Sequence, residues 1–159
     1  MKKFFKRMYA KFIAALGLLC RLLPINKKRI YLISNDGEKY SCNPRAIFEY
    51  LYKNHKDEFD FVYIVNNNHL KSLLPKDVKT AKQGTLKEYF YYYTSKIIVN
   101  NFRFAKKYKK RKKQFYIQTW HGSTIAYKMI EKDVEDSLSK NYVEKAKHDS
   151  KFIDFLLAG

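Results

Sequence analysis

The chain has 159 residues, 46% of them hydrophobic and 17% aromatic, which suits one packed domain with an appendage and excludes a chain disordered by composition. Its net charge of +18 implies an anionic partner: nucleic acid, an anionic membrane surface or a phosphate-rich substrate. Cys20 and Cys42 are too few for a disulfide scaffold and lack metal-ligand spacing, so free thiols, no metal site and no cofactor are expected.

Residues 1–29 carry nine Lys or Arg and no acid. Inside them lies the uncharged run Phe12 to Cys20, far short of the ~20 apolar residues that span a bilayer. A secretory leader would show a small-x-small cleavage site after the run; instead Arg21 and Lys27-Lys28-Arg29 follow. The pattern predicts an amphipathic helix over 3–23, stopped by Pro24, whose apolar part lies in the headgroup boundary of an anionic membrane. Segment 1–28 is therefore read as a basic membrane-associating element, peripheral on the cytoplasmic face of the cell membrane, and 29–159 as the folded domain.

From Arg29 onward strand and helix alternate. Arg29 to Ser34 reads as a strand. Asn43 is placed as N-cap and Pro44 as first helical residue of a helix over 45–53 that buries Ile47, Phe48, Leu51 and Tyr50. Asp60 to Val65 is a second strand, His69 to Leu74 a short helix, and Val78 to Ala81 a third strand. Thr85 with Glu88 three residues on marks a capping box opening a helix to Ser95. Its aromatic run, Tyr89 to Tyr93, is read as packing. Lys96 to Asn100 and Gln114 to Thr119 are further strands. Between them Lys106 to Lys113 has seven positive residues in eight and reads as a solvated loop near a membrane or polyanion. Ser139 to Ser150 is helical and Phe152 to Ala158 begins a sixth strand. The alternation predicts an α/β fold, a Rossmann-like parallel sheet with helices on both faces.

In such sheets ligands sit beyond the carboxyl ends of the strands. There the sequence gathers Ser34 to Gly37, then Asn101 and Arg103, then Trp120-His121-Gly122-Ser123, while Asn43 and Arg45 open a helix whose free N–H groups favour an anion. His121, at the end of a buried strand, is the candidate general base; Asn101, Arg103, Gly122, Ser123, Asn43 and Arg45 are candidate substrate contacts. Trp120 is read as packing beneath the site, and His55, His69 and His148 as surface residues. No Rossmann fingerprint or Walker motif occurs, which disfavours hydride transfer and nucleotide hydrolysis by those routes. No helix-turn-helix, zinc-finger or RNA-binding aromatic signature occurs either, so nucleic acid is not the expected partner.

"YIQTWHGS" (116–123), "VNNFRF" (99–104) and "YSCNPRAIFEYL" (40–51) resemble the CDP-glycerol glycerophosphotransferases, the teichoic-acid primases and polymerases of Gram-positive bacteria. The resemblance implies the first half of a glycosyltransferase-B architecture, with acceptor bound in this half and CDP-glycerol mostly in a second. It implies transfer of glycerol phosphate from CDP-glycerol to a lipid-linked polyol-phosphate acceptor, with His121 as base. The family's second histidine and donor-phosphate residues have no counterpart in this sequence. The expectation is an amino-terminal, acceptor-side fragment, inactive alone. A smaller departure is Thr124 to Tyr127, where members commonly have Pro and further Lys or Gly. A non-catalytic remnant that binds membrane or polyanion stands as the alternative, and a basic nucleic-acid-binding module behind it.

Overall fold

Six strands, all parallel, form a single sheet in the order β3-β2-β1-β4-β5-β6. The computed structural model describes residues 2–120 and 139–157. In chain order the elements are α1 (Lys2–Leu19), a 3-10 turn (Cys20–Leu22), β1 (Asn26–Ile33), α2 (Cys42–His55), β2 (Asp60–Ile64), α3 (Asn68–Ser72), β3 (Lys79–Ala81), α4 (Leu86–Thr94), β4 (Ser95–Asn100), β5 (Phe115–Gln118), α5 (Lys140–Ser150) and β6 (Phe155–Leu156). The chain builds outward from β1 to β2 and β3, then returns to lay β4 on the other side of β1. Ile30 therefore pairs with Phe61 on one flank and Ile97 on the other. The strand order reverses between β1 and β4, the place where doubly wound sheets leave a ligand crevice beyond the carboxyl ends.

The central strand is apolar on both faces because both faces are covered. Tyr31 and Ile33 point to the side occupied by α4, with Tyr89, Tyr92 and Tyr93, and by Ile13 and Ala14 of α1. Ile30 and Leu32 point to the other side, against Phe48 of α2 and Leu70 of α3. The tyrosine run of α4 is thus packing, as expected. Tyr50, predicted to be buried, lies on the solvent face of α2 and is 64% exposed.

Glu88 is fully buried under the sheet. Its backbone N–H donates to Thr85 Oγ1 at 3.3 Å, so the predicted cap forms. The carboxylate, however, accepts from Tyr31 Oη (2.7 Å), Tyr108 Oη (3.0 Å) and Gly84 N–H (3.3 Å). Burial raises its pKa, and the donated bonds oppose that rise.

α1 lies along α4. A Cβ on Gly17 would stand 2.5 Å from Tyr89 Cγ, so the missing side chain is what lets the two helices touch. Leu23, before Pro24, is already extended (φ −73, ψ 153), and the helical stretch ends there. The basic run after β4 is less solvated than its composition suggests. Arg111 donates to the carbonyls of Leu23 (2.7 Å) and Tyr93 (2.9 Å). Lys110 donates to Gln114 O (3.0 Å) and pairs with Asp154 at 2.6 Å, and Lys106 pairs with Glu144. Tyr108 is buried in the core. Much of the run is a set of ties to α4, the segment before β1, the flanks of β5 and β6, and α5.

Candidate functional site at the carboxyl rim

β1 and β4 end side by side, with Ile33 opposite Asn100. Immediately beyond, Asn35 and Asn101 close on each other. Asn35 N–H donates to Asn101 Oδ1 at 2.8 Å, and Asn101 Nδ2 donates to Asn35 Oδ1 at 3.1 Å. Ser41 Oγ reaches Asn35 Oδ1 at 3.4 Å, and Ser34 Oγ donates to Ser41 O at 2.5 Å. The loop after β1, the start of α2 and the loop after β4 are thereby fixed to one another.

β5 ends beside them. Thr119 N–H donates to Asn100 O at 2.8 Å, and Thr119 O accepts from Asn43 Nδ2 at 2.9 Å. Asn43 is therefore not the N-cap that local pattern predicted. Ser41 holds the cap position without a side-chain bond, and the Asn43 amide serves a strand end 76 residues away. Trp120 N–H bonds Gln118 Oε1 at 3.0 Å and the residue turns left-handed at φ 49. Among the described residues, the non-glycine positions with positive φ are Asn35, Asp36, Cys42 and Trp120, and all four lie on this rim. Such backbone costs about 1–3 kcal/mol per residue and persists where surroundings over-determine it.

Arg103 stacks its guanidinium 4.8 Å over the Trp120 ring and sets Nη1 3.8 Å from Asp149 Oδ2. Its Nε, and Nδ2 of fully buried Asn100, are buried donors with no hydrogen-bond partner among the described residues. Asp149, from α5, is buried beneath them. It accepts from Phe104 N–H (3.1 Å), Tyr116 Oη (3.2 Å) and Gln118 Nε2 (3.4 Å). Burial is the largest influence on its carboxyl and raises the pKa, against the Phe104 N–H and the Arg103 charge.

The fold thus brings Asn43, Asn101 and Arg103 to one rim. It does not bring Arg45, whose Nε pairs with Glu49 at 2.7 Å and whose guanidinium lies 4.9 Å over Tyr40 on the outer face of α2. His121, Gly122 and Ser123 lie outside the described residues, directly after Trp120. His148, read as a surface residue, is half-buried with Nε2 3.0 Å from Tyr108 O. Sequence reasoning placed Asn35 on the rim without naming it as a contact, and missed Ser41 and Asp149. A signal existed for Asp149: an acid in the last turn of a helix opposes the macrodipole and asks for another reason to be there.

The sequence matches the family described as CDP-Glycerol:Poly(glycerophosphate) glycerophosphotransferase over residues 16–159. It is similar to a teichoic acid poly(glycerol phosphate) polymerase of Bacillus spizizenii, 34% identical over 132 residues that cover 82% of this chain and 32% of that protein. It is similar also to a teichoic acid glycerol-phosphate transferase of Staphylococcus aureus, 28% identical over 138 residues, covering 84% of this chain and 34% of that protein. The chain thus spans about a third of the length of these relatives. The solved structure of the wall teichoic acid polymerase TagF shares the fold, with a TM-score of 0.72 at 22% identity over 96% of this chain and 38% of that one. The chain belongs to the CDP-glycerol:poly(glycerophosphate) glycerophosphotransferase family.

Proposed function

We propose that this chain supplies the acceptor-side half of a glycerophosphotransferase that moves glycerol phosphate from CDP-glycerol to a lipid-linked polyol-phosphate acceptor. The observation that carries this is the convergence, within a family match over 16–159, of a strained polar rim on the β1–β4 crevice next to the Trp120-His121 step. The acceptor hydroxyl attacks the β-phosphorus of CDP-glycerol; a new P–O bond forms, the bond to the CMP oxygen breaks, and CMP leaves. His121 takes the hydroxyl proton. Arg103 and the Asn100 amide hold donors with no partner among the described residues, the kind that phosphoryl oxygens need as charge develops. Donor binding falls to residues of a second half.

A chimera tests this: residues 16–159 replacing the matching third of the Bacillus spizizenii relative, assayed for CMP release from CDP-glycerol with a lipid-linked acceptor. Turnover is expected from the chimera and none from residues 1–159 alone. A chimera that melts cooperatively yet releases no CMP, or robust release by the isolated chain, would overturn the reading.

The same reading places the chain on the cytoplasmic face of an anionic membrane. Phe4, Phe5, Met8, Tyr9 and Phe12 are all exposed at helical spacing on α1, interleaved in sequence with Lys2, Lys3, Lys6, Arg7 and Lys11. No helix among the described residues is long and apolar enough to cross a bilayer. The occupant that matches both features is the surface of an anionic bilayer, where each Lys or Arg contributes about 1 kcal/mol. The chain should sediment with anionic liposomes, less so as salt rises. Binding to neutral vesicles at every salt level, or undiminished binding after replacing Phe4, Phe5 and Phe12 by Ser, would refute this placement.

A further inference from the structure

One strand outward from the crevice, beyond the carboxyl ends of β2 and β3, lies an open cleft of about 370 Å³. Its polar wall is made by Asn66, Asn67, Thr80 and Thr85, and Lys71, Lys82 and Lys87 stand around it. Its apolar lining, Val65 and Ala81, is buried at the floor. No carboxylate lines it among the described residues, and none of the three lysines has a carboxylate partner there. A neighbouring cleft of about 480 Å³ shares Asn68, Lys71 and Thr80 with the first and adds Lys76, so the two make one basic groove.

The groove is joined rigidly to the crevice. Asn66 N–H donates to Gly37 O at 2.9 Å, its Nδ2 donates to Asp36 O at 2.9 Å, and its Oδ1 accepts from Gln83 N–H at 3.0 Å. The loop after β1, which walls the crevice, and the turn into α4, which walls the groove, therefore share one side chain. Asp36 and Glu38 meet this bridge from the crevice side, so negative charge stands between the two depressions and positive charge fills the outer one.

We propose that this groove is a phosphodiester subsite, holding repeats already built into the acceptor chain while the terminal hydroxyl lies in the β1–β4 crevice. Three ammonium groups without carboxylate partners, with amides and hydroxyls between them, suit the non-esterified oxygens of successive phosphodiesters. The two adjoining clefts share Asn68, Lys71 and Thr80, so a linear polyanion lying across both meets lysines in succession. The inference rests on the proposed transfer to a polyol-phosphate acceptor.

The test compares two triple variants of equal charge change in the 159-residue chain. Lys71→Gln/Lys82→Gln/Lys87→Gln alters the groove; Lys53→Gln/Lys56→Gln/Lys112→Gln alters exposed lysines that precede β2 and β5, toward the amino ends of the strands. Titration with a six-repeat glycerol phosphate oligomer should show affinity falling by about 10- to 100-fold for the first triple and little for the second. Lys82→Glu alone, at an exposed position, should weaken binding in the same direction. Equal losses in both triples, no loss in the first, or no oligomer binding by the unaltered chain would overturn the subsite. So would loss of anionic-liposome binding by the first triple with oligomer binding kept, which would mark a lipid-headgroup site. In the chimera, the first triple should raise KM for long acceptors and leave kcat near its starting value. Normal KM in an active chimera removes the subsite and keeps the transfer reaction; an inactive chimera with oligomer binding still lost in the first triple removes the reaction and keeps the subsite.

Discussion

His121→Ala, in the active chimera, is expected to lower kcat by about 10²–10⁴, the span usual for a general base. The imidazole is proposed to act only as the hydroxyl proton departs, so KM for acceptor should hardly change. The side chain comes straight after a strand whose end is held by two bonds, Thr119 N–H on Asn100 O and Asn43 Nδ2 on Thr119 O. A base mounted on a rigid support is the arrangement that proton abstraction requires. Near-normal turnover would end the assignment. Lost turnover with a collapsed melting temperature would make His121 a packing residue.

What the sequence disclosed about this fold follows from how its information is stored. The apolar runs of β1, β2 and β4 announce strands covered on both faces, and alternation with helices leaves a parallel sheet as the natural solution. Thr85 caps its helix as local pattern said, because a cap is decided within four residues, and Ser139 is found to cap α5 in the same way. Apart from Tyr50, a misread helix face, the failures are long-range. Asn43 looked like a cap beside Pro44, but Thr119 O competes for its amide from the far end of the chain. The Asn35–Asn101 clamp joins loops 66 residues apart and has no local signature. Arg111 and Lys110 read as solvated charge because a sequence counts cations and does not show which carbonyls lie within reach. β6 was expected over 152–158 and is the pair Phe155–Leu156, since Asp154 is used instead to receive Tyr116 N–H and the Lys110 ammonium.

The candidate site divides in the same way. The motif around His121 was legible because residue types and order carry it. Arg103 was legible as a cation at a strand end, but its stacking on Trp120 was not, nor the carboxylate beneath it. The left-handed backbone at Asn35 and Asp36 had a trace in the sequence, since Asn and Asp tolerate that region better than most residues. At Cys42 and Trp120 it had none. Those two are held by their neighbours, and they border the places where Asn43 and the Trp120-His121 step must be aimed.

Asp149→Ala should give the largest loss of stability among single changes near the site. The carboxylate is 1% exposed and receives Phe104 N–H, Tyr116 Oη and Gln118 Nε2, with the Arg103 guanidinium close by. Removing it leaves Phe104 N–H, the Tyr116 hydroxyl and the Arg103 cation without their acceptor among the described residues, while Gln118 Nε2 keeps Phe102 O at 2.9 Å, and breaking such a set typically costs about 3–5 kcal/mol. For a chain of this size that is a fall of about 10 °C in Tm. Asp149→Asn keeps the shape and one carbonyl acceptor for Phe104 N–H, so it should cost less. The pH dependence has a definite sign. Burial raises this carboxyl in the folded state, so the folded chain binds its proton more readily than the unfolded one. Its contribution to stability is fully present below the ordinary carboxylate range and is lost as pH rises through the raised folded value. The gap in Tm between the parent chain and Asp149→Asn should therefore narrow from acid toward neutral pH. A gap that widens over that interval would mean that the Arg103 charge outweighs burial, and that the ionised pair holds α5 against the rim. An Asp149→Ala variant as stable as its parent would show that the buried network contributes nothing to holding Arg103 against Trp120.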